Sequence, residues 1–250
     1  MGTFGHVLWI AMLLLASARP AGAQPDADPS GHWEGAVQAP GKPVTIEIDL
    51  ARNARGELIG TLGNPAEGEK GLPLASVVVT GREVRFAVSA RSGGGAFRGT
   101  LRDDGQAISG DFTMAQGQAG DGRAMPFALA RTGEPRIAPP PRSRPISKRL
   151  AGAWTGTLGV DGKQLTLGMT LANQADGSAS GTIRGDGLEL PVAITETAAE
   201  VRIDVPSVTA SYVGAWNAAG QLVGTWSQRS KSLPLTFQRE FRRELRREPK

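Results

Sequence analysis

No cysteine occurs in this chain. Disulfides, thiolate metal sites and cysteine nucleophiles are therefore excluded, and the fold must be held by its core. Histidine is nearly as scarce, with two residues, and tyrosine occurs once. Long apolar runs are missing except near the start. There, residues 4–16 (Phe-Gly-His-Val-Leu-Trp-Ile-Ala-Met-Leu-Leu-Leu-Ala) form one stretch too short to span a bilayer, and Ala21-Gly22-Ala23 follows it. An apolar stretch ending in a small-x-small site reads as a signal peptide over residues 1–23, although its first residues carry no Lys or Arg. The mature chain is then expected to begin at Gln24, to have no transmembrane segment, and to be periplasmic or secreted.

Charge of one sign does not dominate the body of the protein. Residues 131–149 carry six basic groups and one acid, and residues 239–250 carry six basic groups and three acids. With a net charge of +4 for the whole chain, the remainder is acidic. The basic pI thus comes from two short segments, and the folded body offers no basic groove for nucleic acid.

What the chain does have is glycine, 34 residues of it, and an internal repeat. Gly31-His32-Trp33-Glu34-Gly35 matches Gly152-Ala153-Trp154-Thr155-Gly156, and Val44 to Leu50 matches Leu165 to Leu171 at the same spacing. Further along, Glu83 to Val88 meets Glu200 to Val205, Phe97-Arg98-Gly99 meets Tyr212-Val213-Gly214, and Met125 to Leu129 meets Leu233 to Phe237. The order is kept from end to end, so the chain is a duplication. This divides it into a first repeat over 31–132, a linker over 133–149, a second repeat over 150–240 and a basic tail over 241–250. Five prolines, Pro135, Pro139, Pro140, Pro141 and Pro145, make the linker a semi-extended spacer.

Each repeat reads as strands. Val44, Ile46, Ile48 and Leu50 alternate with Thr45, Glu47 and Asp49, and Asp-Gly pairs such as Asp104-Gly105, Asp161-Gly162 and Asp186-Gly187 punctuate the runs. Eight strands are predicted in the first copy, near 33–37, 44–50, 58–62, 75–80, 83–90, 97–101, 107–112 and 125–131, with the same set in the second. Closing such a sheet on itself removes its edges and hides its apolar face. The expected fold is all-β: two small up-and-down antiparallel barrels in tandem, with a two-sheet sandwich as the alternative.

The Gly-x-Trp opening, followed by an alternating strand and Gly56-Glu57-Leu58-Ile59-Gly60-Thr61, resembles the start of calycin barrels, the lipocalins and avidins. That resemblance implies a tryptophan closing one end of each barrel under an arginine from the last strand. Trp33 with Arg131, and Trp154 with Arg239, are the pairs that fit it. Stacked, each pair would contribute about 0.5–2 kcal/mol of cation–π attraction. The second copy, through Gly152 to Leu158, Tyr212-Val213-Gly214, Gly220 to Gln228 and Leu233 to Phe237, also resembles the β-rich accessory domain ahead of secreted bacterial α/β-hydrolases and serine hydrolases. This similarity spans nearly all of 150–240 and, more loosely, 31–132. It implies an accessory or binding element, here without the hydrolase part, acting with a separate enzyme.

Catalytic patterns are lacking. There is no Gly-x-Ser-x-Gly, no Ser-x-x-Lys, and after the leader only His32, whose counterpart is Ala153. If Trp33 points inward, His32 points out, and a surface or structural role is expected. No metal set, paired catalytic carboxylates or phosphate loop is apparent: Asp103-Asp104-Gly105, Glu67-Gly68-Glu69 and Gly93-Gly94-Gly95 read as turns, and no cofactor is implied. A binding function has two possible carriers. Phe97, Phe112, Tyr212, Trp216 and Trp226 are candidates to line an interior that either fills itself or encloses an apolar small molecule. The tail, with Phe241 and Leu245 four apart among arginines, suits an anionic surface or an exported protein partner. The expectation is an exported, non-catalytic binding or accessory protein.

Overall fold

A computed structural model of the chain describes residues 26–88, 94–114 and 123–240. The signal peptide and basic tail read from the sequence lie outside these residues. The first repeat contains β1 Gly31–Val37, β2 Val44–Arg52, β3 Leu58–Asn64, β4 Glu69–Thr80, β5 Glu83–Val88, β6 Gly95–Leu101, β7 Ala107–Met114 and β8 Ala124–Gly133. The second contains β9 Gly152–Val160, β10 Lys163–Asn173, β11 Ala179–Gly185, β12 Leu188–Glu196, β13 Val201–Val205, β14 Ala210–Trp216, β15 Leu222–Gln228 and β16 Lys231–Arg239. Every strand is antiparallel to the next, and the eighth returns to the first, giving two closed eight-stranded barrels. The all-β expectation holds, and the barrel replaces the sandwich. Each pair of matched sequence motifs falls on the same strand of its barrel.

Alternation decides which side chains go inside. In β2, Ile46, Ile48 and Leu50 are buried while Thr45 is exposed; in β10, Leu167, Met169 and Leu171 are buried while Thr166 and Thr170 are exposed. Burying each such side chain is worth about 1.5–3 kcal/mol. Two-residue turns at Asp161-Gly162 and Asp186-Gly187 place both residues at positive φ, as tight hairpins between twisted strands require. The barrels are narrow because backbones meet closely. Gly99 faces Gly110 and Gly214 faces Gly224, and a Cβ on Gly224 would lie 2.1 Å from the Val213 carbonyl oxygen.

One boundary differs from the sequence reading. The fourth strand begins at Glu69, not near 75, and passes through Pro73. Proline lacks a ladder donor, and Pro73 sits opposite Thr61 between two register shifts, one between Leu62 and Asn64 and one between Leu74 and Ser76, just past Leu74, where pairing with β5 ends.

The odd-numbered strands of the first barrel all start at the end where Trp33 lies. The same holds for the second barrel and Trp154, so each barrel has a tryptophan end and an opposite mouth. The linker joins the two tryptophan ends, Gly133 to Gly152. Its N-terminal part crosses between the outer walls of the barrels. Its C-terminal part is pinned to the second barrel. Ser143 pairs with Ala179 and accepts the Ile194 N–H, Ile146 exchanges two bonds with the Asn173 amide, and Ser147 donates twice to Glu196. Ile146 and Leu150 are buried. The spacer expected from the prolines is thus, from Ser143 onward, part of the packing of the second barrel.

Candidate ligand-binding site

The tryptophan ends are built alike, the tryptophan and the turn before it being shifted 121 positions between the copies and the arginine of the last strand 108. Trp33 donates its indole N–H to the Pro29 carbonyl, and Trp154 donates to Leu150, both at 2.9 Å. The Arg131 guanidinium lies 4.7 Å from the Trp33 ring, and Arg239 lies 4.7 Å from Trp154. Each arginine also donates to the two carbonyls framing that turn: Arg131 to Ser30 and Asp28, Arg239 to Ala151 and Arg149. Both tryptophans are fully buried. The second barrel adds Trp216, 5.6 Å from Trp154 and covered by the Arg149 guanidinium at 4.0 Å. Trp216 therefore belongs to the plug of the closed end.

Above the plugs the barrels are filled with aromatic side chains. In the first, Phe86 stacks on Phe97 at 4.7 Å, and Phe127 meets Phe97 edge-on at 5.2 Å. In the second, fully buried Tyr212 packs edge-on against Phe237 at 5.1 Å and donates its hydroxyl to the Leu222 carbonyl. Burial pushes the Tyr212 phenol well above its ordinary value, so it stays protonated. Tyr212 lies over Gly214, where a Cβ would collide with its hydroxyl. It is core, and it leaves no room beside it.

At the mouths the filling stops. Phe97 and Phe112, Val37, Ile46 and Leu72 of the first barrel face Leu165, Leu167, Ile183, Leu190 and Trp226 of the second around one chamber of about 840 Å³. The barrels thus meet mouth to mouth and share a single cavity. Two contacts hold them there. Thr209 Oγ1 donates to the Gly68 carbonyl at 2.9 Å, and Arg229 pairs with Glu67 at 2.6 Å and Glu69 at 3.5 Å. Thr209 and Arg229 both take left-handed backbone conformations, φ 49° and 54°, Thr209 as the C-cap of the 3-10 turn Pro206–Val208 and Arg229 in the two-residue turn between β15 and β16. Burial raises the Glu69 carboxyl above its usual range; Arg229 opposes that shift and neighbouring Glu67 adds to it.

Of the sequence candidates, Phe97, Phe112 and Trp226 line the chamber, whereas Tyr212 and Trp216 do not. The chamber's other walls, including Leu62, Leu188 and Met125, look like ordinary inward strand positions in the sequence. Nothing local marks them, because the cavity exists only when two barrels face each other.

The outward position of His32 needs correction in one respect. Its side chain does leave the barrel, yet it is only 2 % exposed. Nδ1 lies 2.7 Å from Asp49 and Nε2 lies 3.2 Å from Glu34, while Asp49 also accepts the Arg136 backbone N–H at 2.7 Å. The start of the linker therefore shares with His32 the carboxylate that fixes it. Both ring nitrogens face carboxylates, so the geometry orients the ring and presents no base to a nucleophile. Among the described residues no group of three or more such side chains, this one included, is placed to hold a metal ion.

No protein-family model and no curated protein matches the chain. Among the solved structures that align with it are two at 11 % identity. One is a candidate outer membrane protein from Bacteroides fragilis, covering 83 % of this chain and 95 % of its own with a TM-score of 0.27. The other is a protein of unknown function from the DUF3598 family of Nostoc punctiforme, covering 85 % of this chain and 96 % of its own with a TM-score of 0.25. At such scores the likeness carries no argument, and the two barrels rest on their own strand pairing.

Proposed function

We propose that this chain is an exported, non-catalytic binding protein whose two calycin-like barrels carry one apolar small molecule in the chamber between their mouths. The observation that carries this reading is the chamber itself. Its volume lies in the range of small-molecule sites, its walls are predominantly aliphatic and aromatic, and it stands above cores that are already packed. A lining with this balance of many apolar and few polar groups suits an apolar guest. The calycin resemblance of the Gly-x-Trp openings agrees with it, as do the stacked arginines, and the leader over residues 1–23 supports export.

The test is uptake of the neutral fluorescent probe N-phenyl-1-naphthylamine by the full chain. The probe is expected to brighten on binding. Trp226→Ala should weaken its binding about tenfold or more, while Trp216→Ala should lower the unfolding midpoint and leave probe affinity within about twofold, since a wall contact of about 1.4 kcal/mol corresponds to a factor of ten. Equal effects of the two substitutions on probe affinity, or no uptake by the parent protein, would refute the assignment of the chamber.

A further inference from the structure

The chamber is not equally polar along its length. Among the described residues its polar side chains stand at the junction, where strands end and turns begin. Glu69 opens β4, Asp186 lies in the turn between β11 and β12, Gln228 closes β15 and Arg229 follows it. Asn64, at the end of β3, is the remaining polar lining residue, and its Oδ1 is closed off from the space. Deeper in, the walls are apolar. Ile46, Leu62 and Phe97 form the floor of the first barrel's half, and Leu167, Ile183 and Trp226 that of the second. All six are at least nine-tenths buried. Ile46 and Leu167 are the same position of the two repeats, as are Leu62 and Ile183, each pair 121 residues apart. Ile46 lies two residues further in than Val44, and Leu167 two further in than Leu165, so each half reaches about 7 Å below those wall positions at the rise of a strand.

The duplication has thus made an apolar pit at each end and a polar waist between them. A polar group of a guest placed in either pit gives up water and finds no side-chain partner there, whereas at the waist it keeps polar neighbours. A guest with its head at the waist and a single tail leaves one pit empty and forgoes the burial available there. We propose that the guest is an uncharged linear molecule with two apolar arms and its polar group between them, one arm in each barrel, as in an ester of a medium-chain alcohol with a medium-chain acid. This rests on the carrier reading above. The charges agree with it: Glu69 and Asp186 line the waist, and Arg229 is already paired with Glu67 and Glu69. An anionic guest would meet carboxylates there.

The experiment is displacement of N-phenyl-1-naphthylamine from the full chain by three isomers of one composition. Hexyl hexanoate carries its ester in the middle, methyl undecanoate carries it at one end, and dodecanoic acid is present as dodecanoate at neutral pH. Hexyl hexanoate is expected to displace the probe at about tenfold lower concentration than methyl undecanoate, with dodecanoate the weakest of the three. Ile46→Ala and Leu167→Ala each remove wall from one pit, and each should weaken hexyl hexanoate about tenfold. Should either variant not fold, the comparison of isomers on the parent chain decides alone. Equal displacement by the two esters, or stronger displacement by an isomer with its polar group at one end, would overturn the two-armed guest while leaving the chamber a carrier. Weakening by only one of the two substitutions would confine the guest to one barrel and overturn it as well. Failure of the probe to enter at all would remove the carrier reading and this inference together.

Discussion

At the residue scale, the arginines at the closed ends show how much a single side chain can fix. Arg239 stacks on Trp154 and at the same time donates to two carbonyls of the turn beneath it. A lysine can replace the charge but not the planar fork that makes two bonds and a stack together. Arg239→Lys is therefore expected to destabilise the second barrel by about 1–2 kcal/mol and Arg239→Ala by about 2–4 kcal/mol. Urea unfolding followed by tryptophan fluorescence measures both. Equal stability of the lysine variant and the parent would show that charge alone matters there.

At the scale of elements, two features of the strands make separate demands. The first is the close approach of β14 and β15 at Gly214 and Gly224. A methyl on Gly224 would enter the neighbouring backbone, where no side chain can rotate away. Gly224→Ala should cost about 3 kcal/mol or more, at or beyond the upper end for overpacking, because backbone must shift. Gly220→Ala serves as the control. It sits in a turn with open space around it, but at φ 76°, so its smaller cost of roughly 1 kcal/mol would come from backbone conformation alone. The second feature is the charged outer face of β5 and β6. Glu83 accepts from Arg85 and Arg98, and these bonds hold its carboxyl at about 2, below the ordinary 4.5. Asp104 is held at about 2 by Arg102 and the Gln106 N–H. A carboxyl depressed in the folded state stabilises it above the unfolded value and loses that contribution as pH falls through the folded one. The melting temperature should accordingly decline between pH 4.5 and 2, and Glu83→Gln should make that decline shallower. A decline of the same slope in the variant would show that exposed pairs of this kind contribute nothing measurable.

At the scale of the whole molecule, the sequence and the structure part company, and the reason is physical. Period-2 alternation sorts residues into those inside a barrel and those outside, and it placed Ile46, Met169 and Trp33 correctly. It carries no information about what later covers the outside. His32 is outward by that rule and still buried, because Asp49 and the start of the linker close over it. The same limit hid the chamber. Phe112 and Trp226 are equivalent positions in the two repeats, and each stands at a mouth, but only the docking of mouths turns them into opposite walls. Leu101 and Trp216, also equivalent, both fall toward the closed ends, which is why Trp216 is a plug residue despite its size and apparent suitability for a ligand. The linker belongs to this scale as well. The eighteen residues from Glu134 to Ala151 reach about 56 Å at the polyproline rise. A connection of that length lets barrels that meet at their mouths remain joined at their far ends, and composition alone showed the stiffness but not the path.

A shared chamber makes a statement about stoichiometry that two independent barrels do not. Native mass spectrometry of the full chain, titrated with an excess of 1-dodecanol, tests it directly. One bound guest per chain, released on denaturation and lost in Trp226→Ala, is the expected result. Two guests per chain, one of them retained in Trp226→Ala, would place a separate site in each barrel, and a bare chain at every concentration would mean that the space between the mouths holds no ligand at all.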